Sequence, residues 1–422
     1  MKSRNKRRFY SEIQEEKTPD FTSLLALAGC GSRADAEGGA GEIIDERPSA
    51  MTEIVATVSD KEEAGEVSEN DIVRETIDIA ESCRDIYEKT IQENTAGNQE
   101  LVRELIGRLG DIGYAAVDTE NQIDMVNSGL IKWFCGKVEE KQEAKTTLFI
   151  VMENGDLIRN ELDTAEGEVD VTRLVLNWKD GNPDVSYQNT YQAYSWTYED
   201  NGYLFFEEYC PPGFDGAPGY TAVRVDPLDP DLRELNDRYI LPVGYGLNNM
   251  FTSDWSEENF GELNFYDLYE RMYQMKYGSG PFAATIDSEA YQVPEEIFEG
   301  VFMTFFRIDS RALRRSTVYL DQDKAYQYRT RGQYDFAPIP GVPYPEVAAC
   351  EEKPDGTIRL TVNAVWPKEH LARAFSHEVV IRLLEDGSFQ YVSNHVIPSE
   401  KNVEPVWYTD RLSDEQWEEY YG

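Results

Sequence analysis

The spacing of apolar residues along this chain changes period, and the change happens twice. Ser68 and Asp71 form an S-x-x-D helix-start signal. Ile72, Thr76, Ile79, Cys83 and Ile86 then recur every three or four residues, which is one face of a helix. Leu101, Leu105 and Leu109 mark a second helix, expected to stop at Gly110, and a third is expected over about Ser128–Lys141. From Lys145 the helical period is gone. Short strand-like runs are punctuated by Asn154-Gly155, Asp180-Gly181 and Asn201-Gly202, pairs that suit tight hairpins because their residues tolerate positive φ.

After residue 260 the same order returns. Phe265, Leu268, Tyr269, Met272 and Met275 make one helical stripe. Pro294 is placed as the first residue of a helix carrying Ile297, Phe298, Val301, Phe302 and Phe305. Strands follow, with turns at Asp355-Gly356 and Asp386-Gly387. Helices ahead of an antiparallel, hairpin-rich sheet describe an α+β layer, so the expected fold is α+β with two such lobes. The second lobe is expected to form a cone, a curved sheet around a long helix, of nuclear-transport-factor or cystatin type. A length of 422 residues fits two or three domains of roughly 150 residues each. The expected boundaries are 68–209 for the first domain, 210–260 for an ordered connection rich in Pro and Gly, and 261–422 for the second. Tyr209, Phe214, Tyr220, Tyr239 and Tyr245 are the side chains expected to pack the connection down.

Ahead of these domains stands Leu27-Ala28-Gly29-Cys30 followed by Gly31, which reads as a lipobox. Lys2, Arg4, Lys6, Arg7 and Arg8 supply a basic n-region, and Phe21 to Gly29 a short apolar h-region. Glu12, Glu15, Glu16 and Asp20 lie between them and set this leader apart from an ordinary one. On this reading residues 1–30 are a lipoprotein-type signal segment. Cys30 carries a diacylglycerol, and its two chains anchor the protein to the extracytoplasmic face of the cell membrane. Residues 31–67, rich in Gly, Ala, Glu and Asp, read as a flexible acidic tether.

Charge excludes two classes of partner. Eighty acidic against forty basic side chains leave a net charge of −40. Nucleic-acid binding needs Lys and Arg to displace counterions from phosphate, and docking on anionic lipid needs a basic patch. Cys83, Cys135, Cys210 and Cys350 are far apart, with no C-x-x-C, and spacing leaves their pairing open. Cys83, on an apolar helical face, reads as a buried thiol.

The sequence has no H-E-x-x-H, G-x-S-x-G or phosphate-binding G-x-x-x-x-G-K, and S-x-x-K occurs only as Ser3-Arg4-Asn5-Lys6 in the basic leader. No metal or other cofactor is implied. Cys350 with His377 is a thiol–imidazole option without a supporting local signature. Asp226, Asp229 and Asp231 read as solvated turn acids in preference to a calcium loop. The alternating Tyr194, Trp196 and Tyr198 read as the buried side of a sheet in preference to a sugar-stacking platform. One acid–base pair can be derived. If Asp386-Gly387 is a two-residue loop, Leu384 pairs with Phe389, Arg382 with Tyr391 and Glu378 with His395.

Several motifs in combination resemble a known family. They are Gly113-Tyr114-Ala115-Ala116-Val117-Asp118 leading into Glu120-Asn121-Gln122-Ile123-Asp124-Met125, then Arg233-Glu234-Leu235-Asn236, Tyr239-Ile240-Leu241-Pro242 and Asn248-Asn249-Met250-Phe251. Near the end come His377-Glu378-Val379-Val380-Ile381-Arg382, Gln390-Tyr391-Val392-Ser393-Asn394 and Ile397-Pro398-Ser399. Over roughly residues 70–422 the chain resembles an uncharacterised domain-of-unknown-function family of exported lipoproteins in Gram-positive anaerobic bacteria. The resemblance implies a cell-surface lipoprotein and no activity. The leading expectation is a non-enzymatic extracytoplasmic protein that binds a ligand or partner at the cell surface. The alternative is a cell-wall or carbohydrate-active hydrolase using Asp and Glu carboxylates.

Overall fold

A computed structural model describes residues 69–93, 99–179, 181–213, 219–281, 290–332, 334 and 341–421. Cys30, the signal segment and the tether lie outside the described residues. Residues 67–422 form one contact unit of α+β architecture.

The first helical face is real, but it belongs to two helices. α1 (Glu69–Glu81) and α2 (Arg84–Glu93) are separated at Ser82-Cys83. Ser82 Oγ donates to Ile79 O at 2.6 Å, a local bond that competes with the helical ladder. Thr76, Ile79, Cys83 and Ile86 are all buried. α3 (Gln99–Ile112) runs past Gly110 and stops at Gly113. Gly110 is therefore inside the helix, where a Cβ would come within 2.9 Å of the Val126 side chain. A glycine at that position allows close approach, which a sequence pattern reads as a stop.

β1 (Ala115–Asp118) pairs parallel with β2 (Ala144–Val151), and α4 (Ser128–Glu139) makes the crossover. β3 (Leu157–Ala165), β4 (Glu168–Lys179) and β5 (Asn182–Gln192) complete an antiparallel run, in spatial order β1-β2-β3-β4-β5. Alternate residues build two cores on the two faces of this sheet. Ala116, Phe149, Val151 and Leu157 pack with Ile79, Leu105 and Leu109 of α1 and α3. Val117, Leu148, Ile150 and Val171 pack with Ile131 and Phe134 of α4. Each fully buried leucine contributes about 1.5–3 kcal/mol.

A small sheet follows, β6 (Ser195–Tyr198), β7 (Tyr203–Glu207) and β8 (Tyr220–Arg224), in that spatial order. Its strand β8 falls within the stretch 210–260. Leu204, Phe206 and Val223 close the second core of the first sheet. Trp196 and Tyr198 are half-buried against that core, while Tyr194, just before β6, is 69% exposed. Next come α5 (Pro230–Leu235), capped by Asp229, and a π-helical turn (Asn236–Ile240). Tyr239 and Tyr245 are buried.

The C-terminal half begins with β9 (Trp255–Ser256) and α6 (Phe265–Tyr277). β10 (Ala290–Pro294) leads into α7 (Glu295–Phe305), so Pro294 precedes the helix by one residue. α8 (Ser310–Arg315), β11 (Val318–Leu320) and β12 (Ala325–Arg329) follow. The large sheet is β13 (Tyr344–Glu352), β14 (Thr357–Trp366), β15 (Leu371–Leu383) and β16 (Phe389–Val396), with β9 beyond β16. Its Leu360, Val362, Val379, Ile381 and Tyr391 pack on Leu268 and Met272 of α6 and on Phe298 and Phe302 of α7. The last helix is α9 (Asp414–Tyr421). Just ahead of it, Arg411 and Arg331 share the fully buried Asp267 carboxylate of α6, at 2.7 and 2.9 Å. Among the described residues, no helix is long and apolar enough to cross a membrane.

The hairpin at Asp386-Gly387 differs from expectation. Leu384 N donates to Ser388 O and Gly387 N donates to Leu384 O, so the loop holds three residues, Glu385 to Gly387. Gly387 takes a left-handed φ of 84°, the position that closes such a loop. Near the turn the pairs are therefore Leu383 with Phe389 and Arg382 with Gln390, one residue off the expected register. A bulge between Val380 and Ile381 then moves the register back, and Glu378 stands opposite His395.

Candidate functional site

The small sheet meets the large one along β7. Tyr203, Phe205 and Glu207 alternate on one face of β7, and Tyr203 and Phe205 pack with Val365 and Ala372 of the large sheet. Both ends of this seam are polar.

At the Tyr203 end, Asp118 closes β1 and accepts from the backbone N–H groups of Glu120, Gln122 and Ile123 at 3.2, 2.9 and 2.8 Å. Burial pushes this carboxyl up and the three donors pull it back. The turn they build puts Asn121 at φ 57°, a left-handed conformation that asparagine tolerates better than most residues. Asn121 Nδ2 donates to Ala222 O at 3.0 Å and to Tyr344 Oη at 3.1 Å, and its Oδ1 accepts from Arg224 N at 2.6 Å. One side chain thus joins the turn to β8 and β13. Tyr344 Oη donates to Tyr203 Oη at 3.1 Å, and Tyr203 Oη donates to Glu346 at 2.7 Å. Arg224 lies 3.2 Å from Glu346 and over the Tyr203 ring. Burial raises Glu346, against the pull of Arg224 and Tyr203, and holds both phenols far above their ordinary range.

α5 and the π-turn supply the remaining wall. Arg233 Nη1 donates to Asn121 O at 3.0 Å and Nη2 pairs with Asp124. Asn236 is 4% exposed and opens the π-turn, in which Leu241 N donates to Asn236 O. π-Helical turns are rare and recur at functional sites. Asn236 Nδ2 lies 3.5 Å from Gln122 Oε1, too long for a strong bond. Arg233 Nε and Asn236 Oδ1 are buried with no hydrogen-bond partner. Such groups carry a desolvation cost of about 1–3 kcal/mol each. Arg233 and Asn236 line a recess that also includes Gln122, Tyr344, Glu346 and Leu232 and has a free volume of about 10 Å³, room for about one water-sized group. That is far below the usual 300–1,000 Å³ of a small-molecule site, and it suits one small functional group and not a whole sugar.

At the Glu207 end, His370 takes a left-handed φ of 54° after a short 3₁₀ turn and stacks on Phe205. Its Nδ1 is 3.3 Å from Ser195 Oγ and its Nε2 3.9 Å from Glu207 Oε2. Ser195, Glu207 and Tyr220 are direct neighbours across β6, β7 and β8. Sequence reasoning missed this group, because its members are contributed by separate strands and a turn far downstream.

The residues singled out from sequence fare differently. Glu378 and His395 are opposite one another, yet each finds another partner: Glu378 lies 3.3 Å from Arg359, and His395 Nδ1 lies 3.2 Å from Asp254. His377 Nε2 meets Tyr245 Oη at 2.8 Å and Nδ1 meets Asn394 Oδ1 at 2.7 Å, so both ring nitrogens are occupied without Cys350. Burial lowers His377 to about 4. Cys83 and Cys135 are buried thiols raised by burial, Cys135 to about 12. Asp229 caps α5, and Asp226 pairs with Lys132. Among the described residues, no cluster of His, Cys, Asp and Glu is placed to hold a metal ion.

A model described as a family of unknown function (DUF6070) matches residues 69–411. The chain belongs to the DUF6070 family. No curated protein and no solved structure matches it. Within this DUF6070 chain, Asn121, Gln122, Asp124, Arg233 and Asn236 come from two segments more than a hundred residues apart and meet in the seam recess or beside it.

Proposed function

We propose that this DUF6070 protein is a non-enzymatic lipoprotein, anchored through Cys30 to the extracytoplasmic face of the cell membrane, that binds a ligand or partner through the seam recess. Its family is then one of exported surface lipoproteins of Gram-positive anaerobes. Leu27-Ala28-Gly29-Cys30 supports the location. The observation that carries the binding role is the state of the polar groups in the recess. Among the described residues its one carboxylate, Glu346, is held by Tyr203 and Arg224, whereas Arg233 Nε and Asn236 Oδ1 have no hydrogen-bond partner. A donor and an acceptor without partners suit holding a polar group. A two-carboxylate hydrolase needs a second acid facing the first across about 5–10 Å.

A hydrolase of a different kind from the two-carboxylate one is a second reading because of one arrangement, Ser195 with His370 and Glu207. One experiment separates the two. The full chain is co-sedimented with the cell envelope of the source organism, and the supernatant is assayed for released sugar and peptide. Binding gives saturable retention without release, and Asn236→Leu lowers retention at least tenfold while thermal unfolding shows the variant folded. Release of soluble fragments that stops in Ser195→Ala establishes hydrolysis instead.

A further inference from the structure

The hydrogen bonds around the seam recess restrict the group it can hold. Arg233 and Asn236 stand three residues apart at the end of α5, on one side of the chain, and both line the recess. Arg233 Nη1 donates to Asn121 O and Nη2 pairs with Asp124, which fixes the guanidinium plane and leaves Nε as a buried donor without a protein partner. Asn236 is 4% exposed, and two contacts set the orientation of its amide. Gln122 Nε2 donates to Glu120 O at 2.9 Å, so Gln122 Oε1 is the end that faces Asn236 Nδ2, at 3.5 Å. Asn236 Oδ1 is thereby turned from Gln122, and it is buried without a protein partner. The charges in the wall are paired, Glu346 with Arg224 and Asp124 with Arg233. Leu228 and Leu232, both half-buried, form an apolar rim.

We propose that the group this recess takes is a hydroxyl carried on a short aliphatic stem. The proposal rests on the binding role given to the recess above and names the chemistry it binds. An occupant between Arg233 Nε and Asn236 Oδ1 has to accept from the first and donate to the second. A carboxylate only accepts, so its oxygens would face Asn236 Oδ1 with no proton between them. An ammonium only donates and would face the Arg233 N–H. A primary amide does both, but its three heavy atoms exceed a free volume of about 10 Å³. A hydroxyl does both, fits that volume and is neutral, as a wall of paired charges favours. Water meets the same conditions, so an alcohol binds here by displacing one water. Its hydroxyl repeats the two hydrogen bonds of the water, and its methylenes cover Leu228 and Leu232, an apolar contact that water does not make. That contact selects the alcohol.

Nuclear magnetic resonance of the full chain carrying Cys30→Ser, with its arginines isotopically labelled, tests this through the Nε–H signal of Arg233, which Arg233→Lys identifies by its loss. The probes are n-propanol, propionate and propylammonium, which share a stem and differ in the head group. Propanol is expected to shift the signal saturably, with half-saturation in the millimolar range for so small a ligand. Propionate and propylammonium are expected to give no saturable shift at the same concentrations and ionic strength. Asn236→Leu removes the acceptor and is expected to lose the propanol response with an unchanged circular dichroism spectrum. If that variant unfolds, Leu228→Asn decides in its place, since it keeps both hydrogen-bonding atoms, removes part of the apolar rim and is expected to weaken propanol several-fold. No saturable response to propanol, an equal response to propionate or propylammonium, or a propanol response unchanged in the folded variant overturns the proposal. Envelope retention without a propanol response overturns the hydroxyl and leaves the binding role standing. A propanol response without envelope retention does the reverse.

Discussion

His377 shows how one residue ties acid stability to the core. It lies among Tyr245, Phe251 and Phe375, with both nitrogens hydrogen-bonded, and burial holds it neutral down to about pH 4. The unfolded chain accepts this proton near pH 6.5, and the native state refuses it. Its stabilisation is therefore complete above about 6.5 and is lost as pH falls towards 4, by roughly 3 kcal/mol in all. Urea unfolding at pH 7.5, 5.5 and 4 is expected to show this loss in the wild type and a flatter profile in His377→Gln. Equal profiles would remove His377 as the cause. The residue was visible in the sequence as one of three histidines. Its burial was not, because the partners Tyr245 and Asn394 come from a loop and a strand that only the tertiary fold brings to it.

At the scale of elements, the hairpins show what a turn signal does and does not specify. Between β4 and β5 the last pair is Lys179 with Asn182, the register of a tight hairpin. Asn201-Gly202 and Asp386-Gly387 close three-residue loops, since the closing pairs are Glu199 with Tyr203 and Leu384 with Ser388. The same dipeptide serves both loop lengths because glycine supplies the left-handed residue in each. Loop length decides register, so the pairs near Asp386 stand one residue off those of a two-residue loop, and a bulge returns the register farther along. The two glycines also predict different costs. Gly387→Ala meets nothing within 4 Å and is strained only by its φ of 84°, a loss of about 1 kcal/mol. At Gly202 a Cβ would overlap the Asp226 side chain, which Lys132 and Tyr198 hold in place, so Gly202→Ala is expected to cost about 3 kcal/mol. Chemical denaturation of the two variants should rank them in that order, and equal costs would contradict the packing described around Asp226. The helices were more legible: Ile79, Leu105, Leu268 and Phe302 all carry the helical period and all are buried. The π-turn was not legible, because Arg233 and Asn236 keep ordinary helical spacing in the sequence.

At the scale of the molecule, the order helix-then-sheet was readable twice because a buried face imposes its period on the sequence. Of the small sheet, the β6–β7 hairpin was legible at Asn201-Gly202, whereas β8 was not, since it is short and lies in a Pro/Gly-rich stretch. The seam this sheet makes brings Asn121 to Tyr344 and His370 to Ser195, separations of 223 and 175 residues that no local pattern encodes. The proposal that this protein works outside the membrane on a lipid anchor stands on Cys30 and is open to one direct measurement. Intact-mass spectrometry of the protein from the membrane fraction of its source cells is expected to show residues 1–29 removed and a diacylglyceryl group on Cys30, with Cys30→Ala uncleaved and unmodified. A soluble protein that begins at Met1 and carries no lipid would contradict the surface-lipoprotein reading.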